Sequence, residues 1–170
     1  MRVVVWIGIA TLATALVTGL AAGVGLESHV PDLVIVVLAF LALRASPLEY
    51  GVFAWVAGYI VGRQAAAPVG VHEFSLMATA VAMHVVVGNI TGRSRAFFAM
   101  ACALALVAYH GMVYVLLLGV RGTAGFASFA DALLVHNALL TGAAGALLER
   151  WLARVDTRLV DAKREELSWR

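Results

Sequence analysis

The chain has 170 residues, of which 63% are hydrophobic and only 13% charged, with a formal net charge of +2 and a mean hydropathy of +0.96. Soluble domains run closer to half apolar and a quarter charged, so a water-soluble fold has too little polar surface to cover this chain, and the long uncharged runs have the character of bilayer-spanning helices. The single cysteine, Cys102, excludes an intrachain disulfide and reads as a buried structural thiol.

Charges and turn residues divide the sequence into six apolar segments, at residues 3–25, 31–43, 48–62, 71–90, 96–120 and 131–152. The first follows Arg2 and ends in small residues around Ala21 and Ala22, as a signal peptide does. It is longer than a signal core and long enough to span, so it reads as a retained anchor. Segments two and three hold 13 and 15 residues. At about 1.5 Å per residue they extend roughly 20–23 Å, less than a hydrocarbon core of about 30 Å. Pro31 opens one and Pro47 the next. The pair therefore reads either as two full crossings with Arg44 snorkelling to the interface, or as a re-entrant hairpin with Arg44 or Glu49 near its tip. Between segments, Glu27-Ser28-His29, Arg44-Ala45-Ser46-Pro47, Arg63-Gln64, Gly92-Arg93-Ser94-Arg95 and Arg121-Gly122-Thr123 each supply a charge, a helix breaker or both.

Orientation follows from the basic residues. With six crossings and a cytoplasmic N-terminus, Arg2, Arg44, Arg93, Arg95, Arg150, Arg154, Arg158, Lys163, Arg164 and Arg170 fall inside, and only Arg63 and Arg121 outside. Ten against two is a positive-inside bias, and the opposite orientation reverses it. The expectation is a multi-pass protein of the cytoplasmic membrane with both termini in the cytoplasm, and either six spans or four plus a re-entrant pair. Residues 1–152 form the membrane domain and 153–170 a short basic tail, in which Trp151, Leu152, Val155, Leu159 and Val160 recur at near-helical intervals among arginines. The tail suits an amphipathic helix on the inner leaflet, or an ordinary helix end that carries the orientation signal.

Small residues recur at four-residue spacing at Gly19 and Gly23, Gly58 and Gly62, Gly88 and Gly92, and Ala138, Gly142 and Ala146, where helix backbones can approach closely. Glu27, His29, Asp32, Glu49, His72, Glu73 and Asp131 lie within a turn or two of a segment end, within reach of water. His84, His110 and His136 lie deeper; His110 and His136 share a depth that raises a paired haem or metal set, against which stands the simpler role of hydrogen bonding between helices. The sequence holds no P-loop, HExxH, GxSxG, CxxC or buried aspartate pair, and no nucleic-acid-binding motif. The expectation is a protein that is not an enzyme and needs no metal or cofactor.

The run from Pro31-Asp32-Leu33-Val34 through Leu41-Ala42-Leu43-Arg44, followed by Pro47-Leu48-Glu49 and Gly58-Tyr59-Ile60-Val61-Gly62, resembles MreD, the rod shape-determining membrane protein family of bacteria. The likeness continues through Pro68-Val69-Gly70-Val71-His72 and returns at Asn137-Ala138-Leu139-Leu140. Many family members carry an aspartate near the end of the third segment, where this chain has Gly62-Arg63. The resemblance implies an all-α, polytopic bundle of six transmembrane segments, similar in layout to the substrate-binding subunits of energy-coupling-factor transporters. It also implies a non-enzymatic scaffold of cell elongation, embedded among membrane lipids, that partners MreC and is linked to the MreB filament and the peptidoglycan synthases. A vitamin-binding transporter subunit is the rival. Contact residues are expected at Pro31 and Asp32 where segment two begins, Arg44 at its inner turn, Gly58 and Gly62 for helix approach, Pro68 and Gly70 in the turn into segment four, and Asn137 as an interhelical hydrogen-bond donor.

Overall fold

A computed structural model describes residues 2–23, 25, 30–65, 68–88, 94–121 and 132–168. Among them lie six helices and no strand: α1 (Arg2–Gly23), α2 (Leu33–Arg44), α3 (Pro47–Gln64), α4 (Val71–Gly88), α5 (Arg95–Arg121) and α6 (Ala132–Ser168). The fold is an all-helical bundle. Glu27, His29, Gly92, Arg93 and Asp131 lie outside the described residues.

Local chemistry sets the helix ends. Asp32 caps α2, its carboxylate accepting from the Ile35 amide at 3.1 Å, which satisfies one of the free N–H groups of the first turn. After Arg44 the chain reverses within Ala45 and Ser46. Ser46 and Glu49 form a reciprocal capping box, with Pro47 opening α3. Glycine at position 70 is required by a φ of +93°, and its N–H donates to the Glu73 carboxylate at 3.0 Å. The Ser94 hydroxyl accepts from the Phe97 amide at the start of α5.

α2 is the axis of the molecule. Every residue from Leu33 to Ala42 is buried, and the helix packs against all five others. Around it α1, α3, α4, α5 and α6 follow one another, each against the next from α1 to α6. A helix apolar on every side belongs inside. One turn before the end of α2, the Phe40 ring lies 5.5 Å from Trp6 of α1 and 6.4 Å, edge-on, from Phe98 of α5.

Glycines decide how closely the outer helices approach. A Cβ on Gly58 would stand 2.5 Å from the Glu73 Cα, so α3 and α4 meet backbone to backbone. On α6, a Cβ on Gly142 would meet the Ala99 carbonyl oxygen at 2.8 Å, and one on Gly145 the Cys102 Sγ at 2.7 Å. Cys102 is fully buried there. Gly19 and Gly23, spaced like Gly58 and Gly62, face open space.

α1 and α5 (over Arg95–Gly119) are long and apolar enough to cross a membrane; α2 and α4 (over Val71–Val86) are apolar but shorter. Only 11% of the apolar stretch of α1 and 28% of that of α5 is buried within the bundle. Leu12, Leu20, Trp55, Val81, Leu104 and Leu139, from five helices, point outward with half or more of their surface exposed. A belt of this extent is unlike the exterior of a soluble monomer.

Candidate functional site

The chain's polar contacts gather at the two ends of the bundle. At one end, where α1 and α3 both start, the Arg2 guanidinium holds the Asp156 carboxylate through Nε and Nη2, each at 2.9 Å, and reaches Glu49 Oε2 through Nη1 at 3.1 Å. The Arg2 and Asp156 side chains are only 17% and 12% exposed. A bidentate guanidinium–carboxylate pair is directional as well as strong, and this one fastens α6 to the first turns of α1 and α3. Nearby, Arg44 sits 4.9 Å over the Phe40 ring and 3.9 Å from the Glu149 carboxylate.

At the opposite end the contacts cross between helices pair by pair. The Asp32 backbone N–H donates to the fully buried Thr141 hydroxyl at 3.0 Å, joining the start of α2 to α6. His72 Nδ1 and the Tyr109 hydroxyl share a buried hydrogen bond of 2.6 Å between α4 and α5. The sequence placed His72 within reach of water; it is buried instead, with the Tyr109 hydroxyl as its polar partner and its ring packed near Gly62 of α3. Back toward the Arg2 end, where α2 finishes, the His84 Nδ1–H donates to the Ala42 carbonyl at 3.0 Å, an interhelical bond, while the His110 Nδ1–H on α5 donates to Leu106 of its own helix. Among the described residues no group of three or more His, Cys, Asp or Glu could hold a metal ion.

The sequence candidates are thus spread through the frame. Asp32 caps α2, with Pro31 before it; Arg44 stands at the Arg2 end; Gly58 and Gly62 line the α3–α4 contact; Pro68 and Gly70 form the turn into α4, where the Val71 N–H donates to the Pro68 carbonyl. Asn137, the expected donor, buries its Oδ1 with no hydrogen-bond partner among the described residues. The residues that sequence reasoning missed are Arg2, Asp156, Tyr109 and Thr141. Asp156 carries a faint signal as an acid on the apolar side of a basic tail, but its partner lies 154 residues away.

A third feature is a space between α1 and α3, of about 630 Å³, lined from Ile7 to Gly19 on α1 and from Phe53 to Gln64 on α3, with Val34 of α2 behind. It falls in the range of small-molecule sites, about 300–1,000 Å³.

Comparison with protein-family models, curated proteins and solved structures finds no match to this chain.

Proposed function

We propose that this chain is a non-enzymatic scaffold of the bacterial cell-elongation machinery, a protein of the MreD kind that docks an MreC-like partner in the cytoplasmic membrane and helps organise the MreB filament and peptidoglycan synthesis. The supporting observation is the place of the residues that carry the resemblance: the run from Pro31 to Arg44 becomes α2, the helix around which the other five pack. A shared stretch at the centre of a bundle is the part that dictates a common fold, leaving the outer faces for partners.

In this reading all six helices cross the bilayer and the exposed apolar belt meets lipid. Arg2, Arg44 and Arg95 then lie at the cytoplasmic end with the extension of α6. Single cysteines in place of Arg63 and Arg158 test the orientation: a membrane-impermeant thiol reagent on intact cells should label the first and spare the second. Depletion in a rod-shaped host should round the cells, and an MreC-like protein should co-purify in mild detergent. Unchanged shape together with an empty pulldown would sink the proposal.

A second reading, a small-molecule subunit of a transporter, draws on the space between α1 and α3. Retention of a water-soluble vitamin through purification would select it.

A further inference from the structure

α6 runs from Ala132 to Ser168 without a break, and one of its faces is held by the bundle over most of that length. Ala138, Thr141, Leu152 and Asp156 are buried on it, and Arg2 fixes Asp156 to the start of α1. Up to that clasp the helix therefore stands along the bundle and does not lie flat across its end. The opposite face changes character along its course. Val135, Leu139, Ala143 and Leu147 are exposed four residues apart, with His136 beside the first of them. From the next turn the exposed residues are Arg150, Trp151, Arg154 and Arg158.

The acids of this stretch are turned elsewhere. Glu149 lies 3.9 Å from Arg44, and Asp156 is taken by Arg2. Arg150, Arg154 and Arg158 form no ion pair with another described residue, so the outward face carries charge of one sign. Past Arg158 the sequence holds both signs, at Asp161, Lys163, Arg164, Glu165 and Glu166.

The lengths match a lipid molecule standing in one leaflet. From Val135 to Leu147 the helix advances about 18 Å, enough to line an acyl chain, which occupies about half of a ~30 Å hydrocarbon core. Arg150 and Arg154 are about 6 Å apart along the axis, the thickness of a headgroup layer of roughly 5–7 Å, and Arg158 reaches its water side. Trp151, at the junction, is a residue type enriched at that level. An acidic peptide arriving from water would use the cationic half of this face and leave the apolar half idle. Guanidinium groups take phosphate oxygens through paired N–H donors, and a zwitterionic headgroup would bring its own cation against them.

We infer that the outward face of α6 binds an anionic phospholipid of the cytoplasmic leaflet lengthwise, its acyl chain along Leu139, Ala143 and Leu147, its ester region beside Trp151 and its phosphodiester on Arg150 and Arg154. The inference rests on the membrane reading and is independent of the scaffold reading.

The test uses the full chain reconstituted in phosphatidylcholine vesicles with a trace of diazirine lipid, either a phosphatidylglycerol or a phosphatidylcholine bearing the same labelled acyl chain, and adducts mapped by mass spectrometry. The phosphatidylglycerol probe should label residues 139–151 at least fivefold more than its counterpart, and unlabelled phosphatidylglycerol should displace it. Arg150→Gln/Arg154→Gln should abolish that preference, Arg150→Lys/Arg154→Lys should keep at least half of it, and Arg158→Gln should change it less than twofold. Labelling of the exposed α5 residues Met100 and Leu104, similar with both probes and in every variant, reports that the chain is embedded and folded alike. Equal labelling of α6 by the two probes in the unaltered chain, or a preference that survives the glutamine double variant, overturns the inference. Equal labelling together with capture of a poly-glutamate peptide through Arg154 and Arg158 assigns the face to an acidic protein instead. If α5 is labelled and α6 shows no preference, this inference alone fails; if neither helix is labelled, the membrane reading fails and the inference with it.

Discussion

α1 and α2 are both strongly apolar, yet their fates are opposite: in α1 only Trp6 and Ala10 are buried, and in α2 every residue from Leu33 to Ala42 is. Apolar character sends a helix out of water but does not say which neighbour it meets. In a lipid-like medium leucine gains little by moving from lipid to protein, so packing, small residues and a few polar anchors decide. α2 has neighbours on all sides and a fixed start at Asp32. α1 is anchored at Arg2 and Trp6, and beyond them a cavity lies between it and α3.

Stability measured by denaturant titration in mild-detergent micelles can break this contrast. The largest effect belongs to α2: Phe40→Ala should cost about 3–5 kcal/mol, since the ring fills the space between Trp6 and Phe98. Leu12→Ala, on the outward face of α1, should stay within about 0.5 kcal/mol. If the two losses match, the distinction is wrong.

The glycines sharpen it. Gly58→Ala should destabilise by about 1–3 kcal/mol, because its Cβ meets backbone that cannot give way without moving α4. Gly19→Ala, in open space, should be neutral or stabilising by up to about 1 kcal/mol through reduced chain entropy. Arg2→Ala should cost about 1–2 kcal/mol, a value discounted for the partial exposure of the Arg2 side chain. It should also raise hydrogen exchange selectively in the first turns of α1. Among the polar anchors the cap ranks below Arg2: Asp32→Ala should cost about 1 kcal/mol, and Asp32→Asn, which keeps the acceptor, less than half of that.

Helix positions were largely legible in the sequence, because proline, glycine and charge mark each break: Ser46, Pro47 and Glu49 announce their own capping box, and Gly70 its turn. The third helix runs two residues past the expected end, through Arg63 and Gln64, and the last continues through the tail to Ser168. The arrangement in space was not legible. Gly19 and Gly23 have the same spacing as Gly58 and Gly62, and only the partner helix distinguishes them. His72 looks like a wetted end residue until Tyr109, 37 positions on, is brought against it. The cavity is invisible for a plainer reason: it is a space between two helices, and no motif records an omission.

The Arg2 clasp also has a direction in time. During synthesis Arg2 and Glu49 can meet once α3 emerges, but Asp156 follows Arg2 by 154 positions. Until then the α1 guanidinium lacks its bidentate partner, and the pairing that fastens the first helix to the last is withheld until α6 has joined the bundle. A chain interrupted before Asp156 therefore presents a half-satisfied cation at the bundle end, a local chemical difference between a partly and a fully assembled molecule.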